Sequence, residues 1–251
     1  MKKAMLIIDR GSREPEVKEE LGAICEMVKE KGGYNFTAYC FLEVLPPFIE
    51  EGIKRCVSEN VDLITVMPYF LYPGMKLKES VKKCARLCHD MSIKAIFAKP
   101  LSYHLILQNL LIERIEDLKS KMNILSLNKD CDVLVIGHGS SDKAARTAFE
   151  YTVNGIVPFY RSVNFCFLEL DKPNIESGVR NIVSRGTRFL IVVPYFLHKG
   201  AHTKKDVRDE LNSALAKYRL EEAYVTEHLG ANVKMVNLVL ERAREAESNL
   251  A

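Results

Sequence analysis

The chain contains one pattern twice, and only the second copy carries its histidines. In that copy the apolar run 133–136 leads into Gly137-His138-Gly139-Ser140-Ser141. Phe167-Leu168-Glu169 follows, and then Val193-Pro194-Tyr195-Phe196-Leu197-His198-Lys199-Gly200-Ala201-His202. The first copy runs Asp9-Arg10-Gly11-Ser12, Phe41-Leu42-Glu43 and Met67-Pro68-Tyr69-Phe70-Leu71-Tyr72-Pro73-Gly74-Met75-Lys76. The three stations recur in order, 126 to 128 positions apart. Arg10 answers to His138, Glu43 to Glu169, Tyr72 to His198 and Lys76 to His202. A repeat this long marks two similar domains, not a solenoid. Its asymmetry places one working site in the second half. The expected boundaries are 1–122 and 130–251, joined by the polar stretch 120–131.

Within each half, apolar runs alternate with amphipathic segments. Strands are expected at 4–8, 36–42, 63–67 and 93–98, and again at 133–136, 163–168, 189–193 and 223–226. The intervening helical patterns span 15–31, 48–59, 78–90 and 105–119, then 143–153, 174–184, 204–218 and 233–247. Strands separated by helices of this length imply parallel βαβ units. Their near-continuous Val, Ile and Leu content fits a sheet covered on both faces. The expected class is therefore α/β, with two tandem, doubly wound, four-stranded domains. Ligands of such sheets bind beyond the carboxyl ends of the strands, where all three stations fall.

Composition narrows the function. A formal charge of +3 over 251 residues, with no tryptophan and no basic run interleaved with aromatics, excludes an obvious nucleic-acid partner. No stretch reaches the roughly 18 apolar residues of a membrane span. The cysteines number seven, an odd count with irregular spacing, which reads as a reduced, cytoplasmic protein. Cys84 and Cys88 share one helix face with Val81 and Ala85, so core packing is expected of them rather than metal binding. No phosphate-binding glycine loop is present, and no organic cofactor is expected.

The ordered set Gly-His-Gly-Ser, Phe-Leu-Glu and Val-Pro-Tyr-Phe-Leu-x-x-Gly-x-His resembles the sirohydrochlorin chelatase family. These class II chelatases insert iron or cobalt into a reduced tetrapyrrole. The resemblance covers nearly the whole chain and implies two domains facing across an active-site cleft. It maps the metal-site histidines onto His138 and His202 and the acidic residue onto Glu169. The two-domain pattern keeps its histidines in the first half; here Arg10 and Lys76 stand there, and neither ligates a metal while protonated.

Metal insertion needs an ion held weakly, acceptors for two pyrrole N–H protons, and a distorted macrocycle. Neutral imidazole suits iron and cobalt and also accepts protons near neutral pH. His138 and His202 are therefore expected as ligands and proton acceptors, with Glu169 orienting a histidine or taking the second proton. His198 is expected to line the site without ligating. The metal, Fe²⁺ ahead of Co²⁺, is a substrate. Because sirohydrochlorin carries eight carboxylates, the resemblance implies cationic and N–H donors. Candidates are Arg10, Lys76, Lys199 and Lys204, together with Ser140 and Ser141 before a helix N-terminus. Capping of that helix by either serine is the competing expectation. A monomer suffices, since one chain holds both halves. Two other readings stand beside this one: a tetrapyrrole or metal carrier that no longer turns over, and a chelatase for a porphyrin.

Overall fold

Each set of four strands closes into a separate parallel sheet. The computed structural model describes residues 1–198, 201–220 and 222–248, with the helical backbone alone over 201–206. In chain order the first elements are β1 (Lys3–Asp9), α1 (Glu16–Gly32), β2 (Phe36–Phe41), α2 (Ile49–Ser58), β3 (Leu63–Pro68), α3 (Met75–Asp90), β4 (Ala95–Phe97) and α4 (Leu105–Lys121). The second series is β5 (Asp132–Gly137), α5 (Lys143–Asn154), β6 (Ser162–Phe167), α6 (Ile175–Val183), β7 (Phe189–Pro194), α7 (Ala201–Lys217), β8 (Glu222–Val225) and α8 (Val233–Ser248). The sheets order as β2-β1-β3-β4 and β6-β5-β7-β8, parallel throughout. This is the expected doubly wound architecture, twice over. Among the described residues, no helix is long and apolar enough to cross a membrane.

The central strands are dry. Met5, Leu6, Ile7 and Ile8 of β1, and Val133, Leu134, Val135 and Ile136 of β5, are fully buried, as helices on both faces require. Cys40 of β2, Cys56 of α2 and Cys84 and Cys88 of α3 sit in one apolar cluster. All seven cysteines are buried free thiols. Burial pushes the Cys25 and Cys56 thiols up to about 12, which makes them inert hydrophobes. Helix ends follow the sequence where local chemistry decides them: Gly33 closes α1 at φ 69°, where glycine has no steric cost.

The packing units do not coincide with the repeats. One compact unit comprises Met1–Ser102 and Ala231–Ala251; the other is Tyr103–Gly230. Thus α8 covers β3, β4 and α1, whereas α4 covers β7 and α5. The expected boundaries, 1–122 and 130–251, belong to the repeat; in packing, the two copies have exchanged their last helices. Arginines at matching places fasten the exchange. Arg114 of α4 donates to the His228 and Leu229 carbonyls at 2.8 and 2.6 Å. Arg242 of α8, 6% exposed, donates to the Ser102 carbonyl at 2.7 Å.

The far end of α8 is anchored by Glu247. Its carboxylate accepts from Lys3 Nζ at 2.5 Å, Tyr34 OH at 2.6 Å and Thr65 Oγ1 at 2.8 Å. Burial alone would raise its pKa, but the three donors outweigh burial and hold it below the usual carboxylate range. A depressed folded-state pKa gives stability that is present above the unfolded value and is lost as pH falls through the folded one. Glu247→Gln is therefore expected to cost about 1.5–3 kcal/mol at neutral pH. Urea denaturation across pH should show the gap between wild type and variant closing once the solution becomes more acidic than the depressed pKa of Glu247.

Candidate functional site

In the second unit, two backbone ladders bring the first two stations together. Leu168 N–H donates to the Gly137 carbonyl at 2.9 Å and Glu169 N–H to the His138 carbonyl at 3.0 Å. They extend the β5–β6 pairing past the strand ends. Gly139, at φ 92°, lies so close that a Cβ there would stand 1.8 Å from the Glu169 carbonyl oxygen. Only glycine fits that approach. As a result His138 Nε2 meets Glu169 Oε1 at 3.0 Å, and His138 Nδ1 faces the Gly139 carbonyl at 3.3 Å. Both side chains remain accessible, at 36% and 56% exposed. A neutral ring donates to one of these oxygens and leaves the other nitrogen's lone pair for a proton or a metal.

The third station begins α7. The loop after β7 is tied down by Tyr195 N–H donating to the Ile136 carbonyl at 2.8 Å and Leu229 N–H to the Phe196 carbonyl at 3.0 Å. His198 is half-buried at the end of that loop. The helix starts at Ala201, three residues earlier than the apolar periodicity implies, so His202 and Lys204 belong to its first turn. The side chains of His202 and Lys204, and all of Lys199, lie outside the described residues.

The matching stations of the first unit are described in full, and they converge. Arg10 Nε donates to Glu43 Oε1 at 2.9 Å and Lys76 Nζ to Glu43 Oε2 at 2.7 Å, with Glu79 adding a 3.2 Å contact to Lys76. The Lys76 and Arg10 bonds hold the Glu43 carboxyl below its usual range. Two fixed cations therefore neutralise this glutamate. Arg10 and Lys76, expected to meet carboxylates of a ligand, are already bonded to Glu43, although their side chains stay 56% and 41% exposed.

Neither serine capping nor an open helix N-terminus is found at α5. Asp142 is the N-cap, its Oδ1 accepting from Ala144 N–H at 2.9 Å. Its carboxylate thus occupies the place expected for a bound anion. Ser140 Oγ instead accepts from Asp142 N–H at 3.1 Å and braces the loop, and Ser141 is exposed. Asp outcompetes Ser here because its charge also complements the helix dipole.

Two features carry no sequence signal. Val44 and Leu170, immediately after the two glutamates, have φ of 77° and 62°. Across them Leu45 N–H donates to the Glu43 carbonyl at 3.0 Å, and Asp171 N–H to the Glu169 carbonyl at 2.8 Å. A bond from residue i+2 back to residue i over a positive φ is the rare γ-turn of the strained hand; such conformations cost about 1–3 kcal/mol. Arg146 then secures the second of these loops. It donates to Asp171 Oδ1 at 2.8 Å and the Lys172 carbonyl at 2.9 Å, and its guanidinium lies over the Phe165 and Phe167 rings.

Comparison with known proteins fits this double arrangement. The CbiX family model matches residues 4–118 and 132–246, one match per repeat. The chain belongs to the CbiX family of sirohydrochlorin chelatases. It is 24% identical to a sirohydrochlorin cobaltochelatase of Priestia megaterium, over 97% of this chain and 79% of that one. It is also 24% identical to a sirohydrochlorin ferrochelatase of Bacillus subtilis (strain 168), over 99% and 94%. The structure of SirB from Bacillus subtilis with Fe³⁺ shares the fold at a TM-score of 0.85, covering 100% of this chain and 97% of that chain.

Proposed function

We propose that this protein inserts a divalent metal into sirohydrochlorin, Fe²⁺ in preference to Co²⁺, and that the reaction is carried by the second repeat. The observation that carries the site is the 3.0 Å contact of His138 Nε2 with Glu169 Oε1 beyond the ends of β5 and β6. His138 and His202 ligate the incoming ion and accept the pyrrole protons, and Glu169 orients the His138 ring and relays a proton. The convergence of Arg10, Glu43 and Lys76 in the first unit supports His202 as the third member, since Lys76 is its counterpart. Two imidazoles and a carboxylate, with no thiolate, hold an ion loosely enough to release it to the macrocycle.

Lys199 and Lys204 take substrate carboxylates, as do Ser140 and Ser141 of the loop between β5 and α5. Arg10 and Lys76 offer their exposed faces to further carboxylates while remaining bonded to Glu43. The enzyme acts as a cytoplasmic monomer, a reading supported by its buried free thiols and by the presence of both repeats in one chain.

The test is anaerobic absorption spectroscopy of the purified protein with sirohydrochlorin and Fe²⁺ or Co²⁺. Metallation well above the spontaneous rate is expected, faster with Fe²⁺. Tetrapyrrole binding without acceleration would assign a carrier role instead.

A further inference from the structure

The γ-turns are kept in both repeats, including the one whose histidines are gone. Their purpose is therefore separate from metal ligation. Each could be relaxed by a glycine at its centre, yet the sequence places a leucine in one and a β-branched valine in the other, the residue type least suited to positive φ. Both side chains are displayed to solvent, Leu170 at 67% and Val44 at 49% exposed. Each follows directly on a site glutamate, Glu169 beside His138 and Glu43 between Arg10 and Lys76. Gly139 and Gly11 lock the turns from behind: a Cβ on either would strike the carbonyl of the glutamate, at 1.8 and 2.3 Å. An apolar crest held up next to charged groups matches a ligand that is apolar on its face and anionic at its rim.

We propose that Leu170 is a substrate-positioning contact, on which the apolar face of the tetrapyrrole rests beside the His138–Glu169 pair. This rests on the chelatase reading of the site. The macrocycle loses water from one face on docking, and apolar contact, rather than a hydrogen bond, fixes its height above the glutamate.

The experiment is metal-free titration of the protein with sirohydrochlorin, followed by absorbance, for wild type, Leu170→Asn and Leu170→Met. Asparagine tolerates positive φ, so the turn and the glutamate's aim are retained while the apolar surface is lost. Leu170→Asn is expected to weaken binding about tenfold, with the loss falling on KM rather than kcat and a thermal midpoint at or above that of wild type, since asparagine relieves the turn. Leu170→Met should bind as wild type. A Leu170→Asn variant with wild-type affinity overturns the proposal alone and leaves the turn the task of aiming Glu169. Failure of the wild type to bind sirohydrochlorin overturns the chelatase reading and this proposal with it.

Discussion

His138→Ala is expected to lower kcat/KM for metal insertion by roughly 10²- to 10⁴-fold, the range lost with a group that transfers protons in the transition state. The ring is the partner of Glu169 at 3.0 Å and also faces the Gly139 carbonyl. Its removal takes away a metal ligand and a proton acceptor together. His202→Ala is expected to do the same. Glu169→Gln keeps the shape but loses the charge, and a drop of about 10- to 100-fold is expected, as for groups that orient a ligand. In all three variants metal-free binding of sirohydrochlorin should persist, because the apolar and cationic contacts remain. Stopped-flow absorption at fixed Fe²⁺ measures the rates, and a His138→Ala protein that metallates at the wild-type rate would falsify the site.

Removing residues 231–251 is expected to unfold the first unit and spare the second. Five large apolar side chains of α8, Met235, Val236, Leu238, Val239 and Leu240, are buried. Each contributes about 1.5–3 kcal/mol, together comparable to or above the roughly 5–15 kcal/mol that holds a domain together. The Arg242 bond to Ser102 and the Glu247 anchor are lost with them. The continuous unit Tyr103–Gly230 keeps every helix that packs on its sheet. Hydrogen exchange should therefore show β1 and β3 unprotected while β5 and β7 stay slow. Equal loss of protection in both sheets would mean that the units do not fold separately.

The order of elements was legible because buried parallel strands and amphipathic helices write different periods into the chain. The stations were legible because the repeat aligned them: Arg10, Glu43 and Lys76 do meet, as do His138 and Glu169. The partner of each last helix was not. The apolar face of α4, with Leu107, Leu110, Leu111 and Ile115, specifies burial but not against which of two similar sheets. The cap of α5 was misread because Asp142 stands one residue beyond the serines that the motif draws attention to. The γ-turns were invisible for a plainer reason: valine and leucine argue against the conformation that they adopt. Agreement between local preference and fold fails at the site itself, where strain is expected to collect.

The exchange of helices also sets an order of assembly. Domains on the ribosome ordinarily fold in the order in which they emerge. Here all four strands of the first sheet appear early but wait for α8, which is made after the whole of the second unit. At common rates of synthesis the residues between Ser102 and Ala231 take on the order of ten seconds to appear. Throughout that interval one face of β3 is uncovered, and at its end the second unit has all its parts before α8 is made. Contacts such as Lys3 with Glu247 can form only after the second unit has been made. The half of the protein that is translated first is thus the last to be finished, and the half bearing the histidines is ready before it.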